Sequence, residues 1–268
     1  MLRNAGITLL GFILFLGMQP SARADSIAYM ATGLDQFDSI DLNTGVFTQL
    51  GNMGQLLSGL GVAGGNLYGG VCSSACSGTA GGVNVGNILY QVNPATGALT
   101  PVGTGSIAYG DTGSTTTGLY AVGTNADLYS IDPTTGVATL IGPTGLAFAN
   151  TVGLSTGATT LYYTQDRNLY SLNTTTGSAT LIGSTGLRFG AMVFENGTLY
   201  GGSTSNDRVY ALNTSTGAAT FVSNTGGISG TFWGLAPYPL TAATPEPSSL
   251  LLLGTALLGL TVLVRRNL

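Results

Sequence analysis

Few side chains in this sequence could do acid–base, nucleophilic or metal chemistry, and their usual partners are scarce. Asp111, Asp127 and Glu195 are the carboxylates available for glycosidase-type work, in which two carboxyl groups flank the bond to be cut. No spacing rule singles out a pair among them. Asp35, Asp38 and Asp41 lie close together, and carboxylates suit a hard cation such as Ca²⁺. Their spacing is not that of a calcium loop, so solvated turn acids are expected there. Asp166-Arg167 and Asp207-Arg208 fall at equivalent repeat positions, and both are expected to be exposed turn residues with a weak local ion pair. The run Gly153-Leu154-Ser155-Thr156-Gly157 satisfies G-x-S-x-G, but a nucleophile elbow needs a His base and the chain has no His. The run Gly59–Gly64 satisfies G-x-G-x-x-G, yet a dinucleotide site needs a helix after it, and an apolar–Tyr strand follows instead. No catalytic residue, metal site or cofactor is expected.

These residues sit on a repeat. Leu128–Gly142 reads LYSIDPTTGVATLIG, and relatives of it occupy Leu89–Gly103, Leu169–Gly183 and Val209–Ser223, with a worn copy at Phe37–Gly51. Each copy carries a turn glycine (Gly45, Gly97, Gly136, Gly177, Gly217). Four residues before it stands an Asp or Asn (Asp41, Asn93, Asp132, Asn173, Asn213). The Asx side chain can bond the turn backbone, and Gly takes the left-handed position, so each copy is expected to be a β-hairpin with a loop of four or five residues. Upstream comes a second apolar–Tyr pair, at Tyr29, Tyr68, Tyr120, Tyr162 and Tyr200. Before that stands a small-residue strand such as Gly59-Leu60, Gly153-Leu154 or Gly234-Leu235.

Four short strands per unit, with turn glycines mostly about 40 residues apart, is the period of a β-propeller blade. The first copy starts at its second strand, and Thr231–Tyr238 resembles a first strand with nothing after it. The expected fold is therefore all-β: residues 25–240 as a five-bladed propeller of four-stranded blades, one completed by the N- and C-terminal strands. An open β-solenoid, or a sixth cryptic blade, is the alternative. The once-per-blade tyrosines could stack on sugars, but blade-to-blade packing with each hydroxyl partnered is their expected role, and Trp233 is likewise expected to be structural. One interval is longer by about twelve residues, near Val71–Asn87, and holds Cys72 and Cys76. Two cysteines four apart can close a small disulfide in an oxidising compartment; free thiols are the alternative, and a metal pair would need further ligands.

Only 7% of residues are charged, the net charge is −4 and there is no Lys. Between Asp25 and Pro239 the basic residues are Arg167, Arg188 and Arg208. Such a surface repels phosphate backbones, so nucleic acid is not a partner. Residues 1–24 have the layout of a signal peptide helix: Arg3, an apolar stretch Ile7–Gly17, and a small-residue cleavage site at Ala22-Arg23-Ala24.

After Thr241 the pattern changes. Residues 241–247 form a Pro-rich linker, 248–264 an apolar run about 25 Å long as a helix, near the lower limit for a transmembrane span, and 265–268 a basic tail on the cytoplasmic side. Pro245-Glu246-Pro247, the apolar helix and the pair Arg265-Arg266 together resemble the PEP-CTERM sorting signal of exported bacterial proteins. That resemblance implies an exosortase-type processing enzyme as partner and transient membrane anchoring through the helix. It further implies delivery to the cell surface or extracellular matrix, often alongside exopolysaccharide, which becomes a candidate partner. The repeat domain resembles the YVTN, NHL and quinoprotein-like propellers in architecture, and function does not follow from such a fold. A non-catalytic binding or structural module is expected, with a carbohydrate-binding or carbohydrate-active propeller as the alternative.

Overall fold

The computed structural model describes residues 26–71, 87–103, 105, 107–147, 149, 152–226 and 232–238. The leader with Ala22 and Ala24, the Cys72/Cys76 segment, and the tail with Pro245, Glu246, Pro247, Arg265 and Arg266 lie outside the described residues, as do the segments expected as terminal helices. Among the described residues every regular element is a strand, and no helix is long and apolar enough to cross a membrane.

Twenty strands follow in order. β1 (Ile27–Thr32), β2 (Gln36–Asp41) and β3 (Phe47–Asn52) come first, then β4 (Leu57–Ala63), β5 (Asn66–Val71), β6 (Leu89–Val92) and β7 (Leu99–Val102). β8 (Tyr109–Thr115), β9 (Leu119–Gly123), β10 (Asp127–Ile131) and β11 (Ala138–Pro143) form the next group. β12 (Val152–Ala158), β13 (Leu161–Gln165), β14 (Asn168–Leu172) and β15 (Ala179–Ser184) form the fourth. β16 (Phe189–Glu195), β17 (Thr198–Ser203), β18 (Arg208–Leu212), β19 (Ala219–Asn224) and β20 (Phe232–Pro237) complete the chain.

The outer hairpins form because one local bond pattern recurs in all five copies. The Asx carboxyl or amide oxygen accepts the N–H two residues on: Asp41 from Asn43, Asn93 from Ala95, Asp132 from Thr134, Asn173 from Thr175, Asn213 from Ser215, all at 2.8–2.9 Å. Each Asx carbonyl then accepts the N–H of its turn glycine at 2.7–2.8 Å. All five of those glycines have φ between 70° and 85°, where a Cβ would be strained. The long interval leaves from a hairpin, because Gly70 of β5 still faces Leu89 of β6 and the Val71 N–H reaches the Ile88 carbonyl at 3.1 Å.

The strands assemble into five four-stranded antiparallel units, in the orders β20-β1-β2-β3, β4-β5-β6-β7, β8 to β11, β12 to β15, and β16 to β19. The first unit joins the two ends of the repeat region, with Met30 opposite Leu235. The inner strands of three units pair in parallel, β8 with β12 and β12 with β16. Glycines let the other inner strands approach as closely. A Cβ on Gly61 of β4 would press on the Gly113 carbonyl of β8, and one on Gly234 of β20 would press on Leu60 of β4.

The core is not one mass but five apolar clusters, each shared by neighbouring units. Tyr29 and Phe37 of the first unit pack with Leu57, Leu60 and Tyr90 of the second. Tyr68 and Leu89 meet Tyr109 and Leu119 of the third, and Val122 and Leu128 meet Leu154 and Tyr163 of the fourth. Leu169 meets Phe189 and Met192 of the fifth, while Val193, Tyr200 and Val209 of the fifth pack against Met30, Ile40 and Leu235 of the first. A fully buried side chain of this size contributes roughly 1.5–3 kcal/mol by leaving water.

A second set of contacts runs around the outside. Gly51, Gly103, Gly142 and Gly183 end the outer hairpins, and a Cβ on any of them would collide with a threonine carbonyl (Thr96, Thr135, Thr176, Thr216) in the next unit's turn. Between the last unit and the first the glycine is replaced by Ser223, whose hydroxyl donates to the Leu42 carbonyl at 2.7 Å.

Candidate functional site

The polar residues of the inner strands are structural fasteners. Asp111 on β8 is 3% exposed, and its carboxylate accepts the Thr112 N–H at 2.7 Å and the Leu154 N–H of β12 at 2.6 Å. Burial pushes its pKa well above the usual carboxylate range, against the lowering effect of those two bonds. Ser114 accepts the Val62 N–H at 3.0 Å and Thr112 the Gly70 N–H at 3.1 Å, tying β8 to the second unit. Thr156 of β12 donates to the Leu60 carbonyl of β4, tying the fourth unit directly to the second.

The sequence-derived motifs resolve accordingly. Ser155 of G-x-S-x-G is fully buried on β12, and its hydroxyl accepts the Tyr162 N–H at 2.9 Å. Gly59 of G-x-G-x-x-G lies on β4 at φ 84°, with the Asp111 carboxylate and Thr112 backbone where a Cβ would go. The three carboxylates are not brought together by shared bonds. Asp111 is buried, Asp127 on β10 accepts from Asn125 Nδ2 at 2.7 Å, and Glu195 is half-buried at the end of β16, its pKa raised by burial.

Two expectations need correction. Asp38 is not a solvated turn acid: it is 0% exposed in β2, and neither carboxylate oxygen has a partner among the described residues. Burial raises its pKa to about 6. The reason is positional. Asp38 takes the place held in the other units by Tyr90, Tyr129, Tyr170 and Tyr210, on a face that packs against the neighbouring unit. Asp41 does serve its turn, and Asp35 takes the left-handed position at φ 61°. Among the described residues no three His, Cys, Asp or Glu are grouped to hold a metal ion. The second correction concerns Asp166, whose ion pair is with Arg188 at 3.7 Å rather than with its neighbour Arg167.

The tyrosines divide by environment. Tyr29, Tyr68 and Tyr200 are buried in the inter-unit clusters, and Tyr120 and Tyr162 are half-buried against them. Hairpin hydroxyls find amide donors: Tyr129 from Asn125 at 2.8 Å and Tyr210 from Asn206 at 2.9 Å. Tyr109 and Tyr163, outside the once-per-unit set, have buried hydroxyls with no partner among the described residues and pKa values raised by burial, Tyr109 to about 12. Trp233 is half-buried beside Gly33.

Two adjoining cavities lie at one end of the domain, where the inner strands finish and the Asx turns stand. A cavity of about 350 Å³ opens between the first and second units, with Tyr29, Leu67, Pro94 and Pro237 as apolar walls and Asn66 and Gln91 among its polar groups. A second, of about 370 Å³, lies beside it between the Ala63–Gly65 turn and the Ser114–Gly118 turn. The two share Val62, Gly65 and Pro237. The repeat did not mark this place, because its residues come from β1, β4, β5, β6, β7, β20 and two turns, and the repeat positions among them, Tyr29 and Asn93, recur in every unit.

Comparison with known proteins places the C-terminal segment. Residues 243–266 match the PEP-CTERM protein-sorting motif, spanning Pro245-Glu246-Pro247, the apolar run and Arg265-Arg266. The chain thus carries the sorting motif of exported proteins processed by an exosortase. No curated protein matches the chain. Among solved structures, a chain from the crystal structure of a nidogen/laminin complex is similar over 78% of this chain and 97% of that one, with a TM-score of 0.52 at 8% identity. Identity that low speaks for fold alone.

Proposed function

We propose that this protein is delivered to the cell surface or extracellular matrix by a PEP-CTERM and exosortase system, after transient anchoring through residues 248–264. Its repeat domain is a five-bladed β-propeller acting as a non-catalytic binding or structural module. The observation that carries the delivery is the motif match at residues 243–266, which holds the processing triplet, the apolar run and the basic stop in order. The propeller reading is supported by the five inter-unit clusters, the last of which returns to the first unit, and by β20 completing the sheet begun by β1. An open solenoid would leave those ends apart.

The non-catalytic reading is supported by the burial of Asp111 and by the absence of His from the chain. A carbohydrate-active centre on Asp111, Asp127 and Glu195 would need Asp111 in contact with substrate, and its two oxygens are committed to backbone N–H groups. The delivery is tested by removing residues 245–268 and following the protein among membrane, surface and medium fractions of its host. The truncated chain should leave the membrane and surface fractions. Unchanged distribution would sink the sorting role.

A further inference from the structure

We infer that the cavity between the first and second units is a binding site for a neutral, hydroxyl-rich ligand, of the size of one or two units of an uncharged saccharide. The inference rests on the reading of the domain as an exported binding module and gives that module a site and a ligand class.

Charge is the first discriminator. None of the described residues lining the cavity is Asp, Glu, Lys or Arg. A charged ligand would lose its water there without gaining a counter-charge, which is the costly case. The domain's arginines lie elsewhere: Arg167 and Arg208 border the β13–β14 and β17–β18 turns and Arg188 precedes β16, all at the opposite ends of the strands. Acidic polymers therefore find no partner in this cavity.

Hydrogen-bond capacity is the second. Gln91 Nε2 donates to Asn66 Oδ1 at 3.1 Å, which orients the Gln91 carbonyl oxygen as an acceptor. Asn93 Oδ1 is committed to the Ala95 N–H at 2.9 Å, leaving its amide nitrogen as a donor. Thr100 adds a hydroxyl that can do either. A set offering both donors and acceptors fits adjacent hydroxyls, each of which donates and accepts. The remaining wall is apolar, from Tyr29, Leu67, Pro94 and Pro237, and suits the C–H face of a sugar ring. A mostly apolar pocket with a few placed polar groups, at the small end of the usual volume range of roughly 300–1,000 Å³, is a small-ligand site.

Position is the third. The fourth unit is tied directly to the second at Thr156 and Leu60, so a ligand belongs beside that contact. The adjoining cavity continues past Pro237 with the exposed hydroxyls of Thr116 and Thr117. A longer glycan would run from one cavity into the other.

The test uses the mature full-length chain and saturation-transfer NMR with cellobiose, maltose and mannobiose, set against digalacturonate. A neutral disaccharide should bind and digalacturonate should not. Asn66→Ala combined with Gln91→Ala should weaken the neutral ligand at least tenfold while the melting temperature stays put, since Asn66 is exposed and Gln91 is half-buried with its amide bonded to Asn66. Arg208→Ala, at the other end, should leave affinity unchanged. Absence of binding by all three neutral disaccharides, affinity indifferent to the double variant, or preference for digalacturonate would each overturn the inference. A photo-crosslinker at Gln91 that captured the chain's own residues 239–247 instead of sugar would also overturn it, by making the cavity a peptide dock. Any of these results alongside normal tail-dependent localisation would remove the sugar site and leave the sorting role standing.

Discussion

Replacing Asp38 by Asn should make this protein more stable at neutral pH and leave it nearly unchanged in acid. The carboxyl is fully buried with no partner among the described residues, and burial lifts its pKa from 3.8 to about 6. The folded state therefore holds this proton more tightly than the unfolded chain does. Stability from Asp38 is greatest below the unfolded value, is lost as pH rises through the window from about 4 to about 6, and is flat above it. A rise of that size corresponds to about 3 kcal/mol. Asn has much the same shape and no charge to bury, so Asp38→Asn should match the wild type near about pH 4 and exceed it by about 3 kcal/mol near about pH 8. For a domain of this size that is a rise of about 6–12 °C in melting temperature. Thermal melts of both purified proteins at the two pH values measure it. A gain of equal size at both, or none at the higher pH, would refute the idea that an unpartnered buried carboxylate stands at this position.

Gly51→Ala should destabilise by about 2 kcal/mol or more, because its Cβ would strike the Thr96 carbonyl of the next unit, while Gly54→Ala, in open space at φ 70°, should cost roughly 1 kcal/mol from backbone strain alone. Equal urea midpoints for the two would remove the contact from consideration. Asp111→Leu leaves the Thr112 and Leu154 N–H groups buried without an acceptor and should cost at least about 2 kcal/mol, read as a lowered urea midpoint; full stability would mean the carboxylate is not a fastener. Asp132, exposed at its turn, should titrate at about 2 by NMR because the Thr134 hydroxyl and N–H favour the carboxylate. Thr134→Val should move that value upward, and its contribution to stability, present above about pH 4, should be lost only as pH falls toward about 2.

What was legible in the sequence was what is decided within a few residues. The Asx-to-turn bond, the left-handed glycine and the hairpin closure all lie inside one short stretch, and five copies made the rule visible. Tyr positions and the four-strand period followed for the same reason. Illegible were the features settled by another unit. The glycines ending the outer hairpins recur in four of the five units, yet their purpose is a carbonyl contributed from about 32 to 45 residues away. The partner of Asp166 lies beyond an entire hairpin, so adjacency suggested Arg167 when Arg188 holds it. The cavity is assembled from β1, β4, β5, β6, β7, β20 and two turns, and no local pattern could have announced it.

The departures from the repeat are themselves concentrated. Asp38 stands where the other units have Tyr, directly opposite Met30, and Met30 belongs to the cluster joining the last unit to the first. Ser223 stands where the others have Gly, at that same junction, and exchanges a backbone contact for a hydroxyl bond to Leu42. Three junctions join units each made from one consecutive stretch of chain. The junction of the last unit with the first instead packs against a sheet made by strands from opposite ends of the domain, with β20 arriving after everything else to pair with β1. Its geometry is set by closure rather than by the repeat, so the repeat's packing residues need not fit there. A junction held by a hydroxyl bond and carrying an unpartnered carboxylate should open before the other four, and hydrogen exchange should find the β1–β20 amides less protected than those of β9–β10. If β1–β20 exchanged as slowly as β9–β10, the seam would be as strong as the rest of the domain, and the repeat's departures there would carry no energetic cost.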